Sequence, residues 1–223
     1  MKREMLLHEL HPSVVHAPLA LLPTAAVADL ISVVSGDRAW GKVARRVWVA
    51  GTLSGLFAGV AGLAASQEVR MDSPRARDMT FLHGLGNSVI LLGAMGVTAW
   101  RLRREPTVTS AVVGLAACGL ALYTATLGGK MVYELGVGIN PMPEDAPQGT
   151  LKGPPLLSTR APVALVKDAL LGVKWLASRA RELLTGTRPL APGAEGFRSG
   201  EDATLPLPLG TSPLSSGHTM PQA

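Results

Sequence analysis

The chain has 223 residues, of which 47% are apolar, 17% charged and only 4% aromatic, with a formal net charge of +5. Its one cysteine, Cys118, excludes an internal disulfide framework, zinc fingers, iron–sulfur ligation and c-type haem attachment. The Lys and Arg residues lie in short loops beside apolar runs and in the tail, without interleaved exposed aromatics, so nucleic acid is set aside.

Four apolar runs come first, at about 12–34, 47–66, 79–100 and 107–129. The first holds a single carboxylate, Asp29, and the other three hold no charge. A helix in water must keep a polar face, and none of these does. Each is about the twenty residues that cross a bilayer core of about 30 Å. Lys2 and Arg3 precede the first run, but that run is longer than a signal-peptide h-region and reads as a retained span.

The connecting loops are short, which forces neighbouring spans antiparallel. The expected fold is all-α: an integral-membrane, up-down-up-down four-helix bundle over residues 1–140. The first and third loops carry seven Lys and Arg, against six in the N-terminus, the second loop and Lys130. That bias places the first and third loops in the cytoplasm and both termini outside. Trp40, Trp48 and Trp100 gather at the first-and-third-loop boundary as a one-sided aromatic belt.

The second span carries Gly51, Gly55, Gly59 and Gly62, a tandem small-xxx-small face. It suits tight packing inside the bundle, a homo-oligomer face, or room for a flat cofactor. Beyond Ile139 stand twelve of the 17 prolines. Residues 141–161 read as a Pro-rich linker, and 185–223 as a disordered tail. Between them, 162–184 forms a basic amphipathic helix. Val166, Leu170, Val173, Leu176, Ala177 and Leu184 share a face edged by Lys167, Lys174 and Arg181. Lying in the headgroup layer is the expected use, with a partner protein as the alternative.

Ionisable groups inside spans are costly and so invite a functional reading. His16 lies about one turn inside the first span and His83 about one turn inside the third. Odd-numbered spans start at the same membrane face, so these imidazoles share a depth. His11 lies just before Pro12, and Asn87 is one turn beyond His83 on the same face. Lys130, Tyr133 and Glu134 come to that face at the end of the fourth span. Asp29, thirteen residues beyond His16, is about 20 Å away along a helix and is expected to pair with Arg45 or Arg46. Pro18 and Pro23 are expected to bend the first helix.

Three readings of the histidines remain open. They hydrogen-bond and fix the bundle; or His16 and His83 are axial ligands to the iron of a b-type haem; or His16, His83 and Glu134 form a proton-carrying or quinone-facing site. In the haem reading, His11, Asn87, Tyr133 and Glu134 are the supporting groups. No G-x-S-x-G, H-E-x-x-H, P-loop or G-x-G-x-x-G pattern occurs, so no enzyme is assigned.

Three stretches, "HELHPSVVHAPLALLP" at 8–23, "LHGLGN" at 82–87 and "LGGKMVYELGVGI" at 127–139, resemble a family of bacterial four-span membrane proteins, domain of unknown function 2231. The resemblance covers roughly 8–140 and implies a bacterial inner-membrane protein. Some relatives resemble fusions with Rieske or cytochrome domains, which implies a redox partner. The motif positions here are His11, Pro12, His16 and Pro18; His83, Gly84 and Asn87; and Gly128, Gly129, Tyr133, Gly136 and Gly138. The family tends to have an acidic residue at Lys130 and a histidine at Leu135.

Overall fold

The computed structural model describes residues 5–71, 73–138 and 153–197. After a 3-10 turn at Leu7–Glu9 come α1 (Leu10–Val14), α2 (His16–Ser35), α3 (Arg38–Glu68), α4 (Pro74–Arg101), α5 (Val108–Tyr133) and α6 (Ala161–Leu184). Every described element is helical. Helix α2 packs on α3 and α5, and α4 on α3 and α5, which closes the up-down-up-down ring that the short loops require.

Local chemistry sets the helix ends. Gly36 adopts the left-handed conformation (φ 70°) and lets the chain reverse within two residues between α2 and α3. Asp37 then caps α3 by accepting from Ala39 N at 2.7 Å. Ser73 caps α4 ahead of Pro74, and Thr107 caps α5 through Ser110 N. The first span breaks at Val15, and Pro18 sits in the first turn of α2, where its missing N–H leaves no bond unmade. Pro23 lies inside α2, which runs on to Ser35.

Four helices are long and apolar enough to cross a membrane. Mid-helix leucines point outward: Leu53 is 62% exposed, Leu92 67% and Leu122 70%. A water-soluble bundle would bury them; a lipid-facing one does not. The inner packing is built from small residues, chiefly Ala25, Ala26, Ala28, Ala44 and Ala94 around Trp48. With lipid outside, close backbone approach supplies the packing energy that burial would supply in water.

The glycine row of α3 serves the same end, within one chain. Gly51 faces Leu21 and Leu22, Gly55 and Gly59 face Leu91, and Gly62 faces the ring of His11. Neighbouring helices thus meet this face, which is the packing inside the bundle that its spacing suits.

Helix α6 packs mainly on α3 and reaches α4. Its inward face is the small one, Ala161, Ala169 and Gly172. The following residues 185–197, expected to be disordered, fold back onto the bundle. Ala191 N donates to Asp78, Tyr123 Oη donates to Glu195 O at 3.0 Å, and Phe197 stacks on Tyr123 at 5.6 Å. Main-chain bonds to Asp78, Tyr123 and Lys130 hold this stretch, which no apolar period in its own sequence announces. The rest of the expected tail, 198–223, and 139–152 of the linker region lie outside the described residues. The linker's other end pairs with the N-terminus, through Leu7 N to Pro154 O and Leu156 N to Met5 O.

Candidate functional site

Polar groups inside the bundle gather at its two ends. At the end of the first and third loops, Asp29 is fully buried. Its partner is not Arg45 or Arg46, as expected, but Arg101, whose Nε lies 3.0 and 3.1 Å from the two carboxylate oxygens. Trp48 Nε1 donates to Asp29 at 2.8 Å. Arg101 also donates to the main-chain oxygens of Gly41 and Arg104. Trp48 is therefore an internal residue, 2% exposed, and only Trp40 and Trp100 remain at the boundary. Arg45 and Arg46 stay on α3's surface because α2 and α4, not α3, bring Asp29 and Arg101 together. Every polar atom here has a use, so this end is a clamp.

The other end carries the histidines. His83 Nδ1 lies 2.8 Å from Thr124 O, across the α4–α5 contact. His11 Nδ1 lies 3.0 Å from Ala58 O, across the α1–α3 contact. A carbonyl only accepts, so each neutral imidazole carries its proton on Nδ1 and leaves Nε2 as an acceptor. The two rings meet, with centres 6.3 Å apart and planes at 86°. A glycine backs each of them. A Cβ on Gly62 would stand 2.9 Å from His11 Nδ1, and one on Gly128 would stand 3.2 Å from His83 Cε1.

Asn87 completes the group. Its Nδ2 lies 3.1 Å from His83 Nε2 and also donates to His83 O at 2.9 Å. Its Oδ1 accepts from Thr124 Oγ1 at 3.2 Å. Thr124, 1% exposed, was not singled out from the sequence; its position one turn before Gly128 on α5 was the available signal.

The other expected site residues stand elsewhere. His16 is exposed on the outer surface of α2. Tyr133 is 88% exposed. Glu134 is exposed and pairs with Arg75 and Lys130 at 3.5 and 3.6 Å. So His16, His83 and Glu134 do not converge, and the residue that meets His83 is His11. Leu135 packs beside the Met79, Leu127 and Met131 cluster. Among the described residues, no group of three or more His, Cys, Asp or Glu converges, so the site offers two imidazoles and no cage.

A third polar group sits above the histidines, where α6 is fastened. Arg179 Nε donates to Asp78 Oδ1 at 2.7 Å, and its guanidinium lies over the Phe81 ring at 5.6 Å. The Asp78 hydrogen bond holds this guanidinium above its ordinary pKa, charged at any physiological pH.

Residues 7–141 match the family model described as "Predicted membrane protein (DUF2231)". The chain belongs to that family. The match takes in α1 to α5 and all the histidine-site residues, and stops before α6. Neither a curated protein nor a solved structure matches the chain. The DUF2231 region is thus a membrane-embedded bundle with paired imidazoles, and α6 with its following loop lies beyond the matched segment.

Proposed function

We propose that this DUF2231 protein is an electron-transfer-linked membrane subunit that holds a b-type haem between His11 and His83. One observation carries the reading: the ring-centre distance of 6.3 Å between two imidazoles whose Nδ1 protons are both tied to main-chain carbonyls. If both imidazoles held one metal through Nε2, each at a metal–nitrogen distance of about 2.0–2.1 Å, their ring centres would stand roughly 6 Å apart. Ligating histidines almost always donate their other N–H to a carbonyl or carboxylate, which fixes tautomer and ring orientation. The donor set therefore fits haem iron, provided Asn87 turns its amide away from His83 Nε2.

When bound, such a group supplies one-electron transfer. The chain's own part is to orient both imidazoles, through Ala58 O and Thr124 O, and to keep water away with apolar helices. Thr124 O holds His83 at a fixed angle. A redox partner follows from this function, and the bacterial inner membrane, with both termini outside, is the placement that suits it.

A second reading rests on Asn87. As packed, both nitrogens of His83 are engaged within the protein, which is what a purely structural histidine needs. The visible spectrum of protein made with ample haem separates the two. A low-spin haem spectrum that depends on both His11 and His83 supports the first; a colourless protein that His83→Ala destabilises supports the second.

A further inference from the structure

We propose that the outward face of α6 is a binding site for anionic phospholipid headgroups. Where α6 sits is set by what it touches. Asp168 faces Glu68, the last residue of α3. Gly172 packs on Leu63, five residues and so about 7.5 Å further into the bundle. Arg179 returns to Asp78, near the start of α4. Helix α6 therefore crosses the flank of the bundle at the rim, dipping in the middle and rising at both ends. The end of α3 and the start of α4, which it bridges, are where apolar spans would meet the headgroup layer.

Its outward face has a composition that only this depth satisfies. Val163 is 71% exposed, Val166 58%, Leu170 60% and Val173 50%. Lys167, Lys174 and Arg181 stand exposed on the same side. In water the aliphatic side chains would be left uncovered, and in hydrocarbon the three cations would be stranded. At the boundary the apolar stems enter the acyl layer while the charges reach the phosphates. A shallow apolar groove runs along this face between Val163, Val166 and Leu170, with Lys167 and Lys174 on it.

Charge complementarity identifies the occupant. The carboxylates of α6 are turned elsewhere: Asp168 to Glu68, and Glu182 to Arg179 and Arg188. Among the described residues, Lys167, Lys174 and Arg181 have no ion-pair partner, so the face offers three positive charges. Lys167 and Lys174 are two turns apart, about 10.5 Å along the axis, and both side chains reach a phosphate held between them. Zwitterionic lipid offers no net charge to match; anionic lipid does.

The test uses the full chain. Wild-type protein and a Lys167→Gln/Lys174→Gln/Arg181→Gln variant are extracted from mixed phosphatidylglycerol and phosphatidylcholine bilayers. Retained lipid is read by native mass spectrometry. The wild type should retain phosphatidylglycerol preferentially, and the variant should lose that preference by up to about a hundredfold, taking roughly fivefold per cation. High salt should reduce it in the wild type. Equal retention by both proteins overturns the proposal. A spin label at Leu170→Cys, in a Cys118→Ser background, gives an independent readout. It should be accessible to oxygen and shielded from a water-soluble relaxant; a label open to water, or closed to both because a protein covers it, overturns the proposal as well. The three substitutions are on the outer face, so helix content should not change.

Discussion

Asp29 and Arg101, seventy-two residues apart in sequence, form a doubly bonded ion pair that is almost completely shielded from solvent. It joins α2 to α4, and Trp48 ties α3 to the same carboxylate. Removing one partner strands the other, which costs about 3–5 kcal/mol for a buried charge. Arg101→Met should therefore destabilise the bundle by that amount in a detergent melt. Adding Asp29→Asn should recover part of the loss, because no charge is left unpaired. An Arg45→Gln change should be nearly neutral.

The fit of α6 is as close as backbone allows. A methyl group on Gly172 would collide with the Leu63 carbonyl, and a carbonyl in a helix cannot swing away as a side-chain tip can. Gly172→Ala should loosen α6 at a cost of about 1–3 kcal/mol. Protease cleavage in the 185–188 region should rise accordingly. Unchanged cleavage would mean that α6 is held by Arg179 and Asp78 alone.

Truncation after Gly186 gives a third check. It removes the donor at Ala191, the carbonyls of Arg188 and Pro189 that receive Arg179, and the Phe197 ring on Tyr123. The truncated chain should melt lower than the full one. An identical melting curve would return this stretch to the disordered state its composition implies.

How much of this was legible in the sequence follows from what carries each feature. The four spans are written in uninterrupted apolar runs, and the bundle topology in the shortness of the loops. The glycine row of α3 was visible too, and its use inside the bundle was one of the readings that spacing allowed. What misled was the start of the first helix. With the span opened at Pro12, His16 looked like the inward residue. The chain is already helical at Leu10, and the roughly 140° that separates five residues on a helix turns His11 inward and His16 out. Asp29 was assigned to the nearest arginines along the chain, whereas its partner comes from a helix that folding brings beside it. The loop at 188–197 is held mostly by main-chain carbonyls and amides, which every residue has, so no periodic pattern of side chains foretells it.

Membrane orientation is open to direct test. We propose that reporter fusions after Ser35 and after Arg104 report cytoplasm, and one after Glu134 the outside, the orientation favoured by seven Lys and Arg in the first and third loops against six on the other side. The inverse pattern would reverse the orientation and leave the bundle intact. An odd number of crossings would contradict the fold.

The most direct test is the visible absorption spectrum of the membrane-extracted protein, expressed with ample haem. The proposed ligand pair, His11 and His83, predicts a Soret band and reduced α and β bands of low-spin haem. His11→Ala and His83→Ala should each abolish or convert that spectrum, because each would remove one of the two nitrogens that hold the iron. His16→Ala should leave it unchanged, since His16 is exposed on α2 and it is His11 that meets His83. A colourless wild type, or a colour that survives both His11→Ala and His83→Ala, would contradict the account.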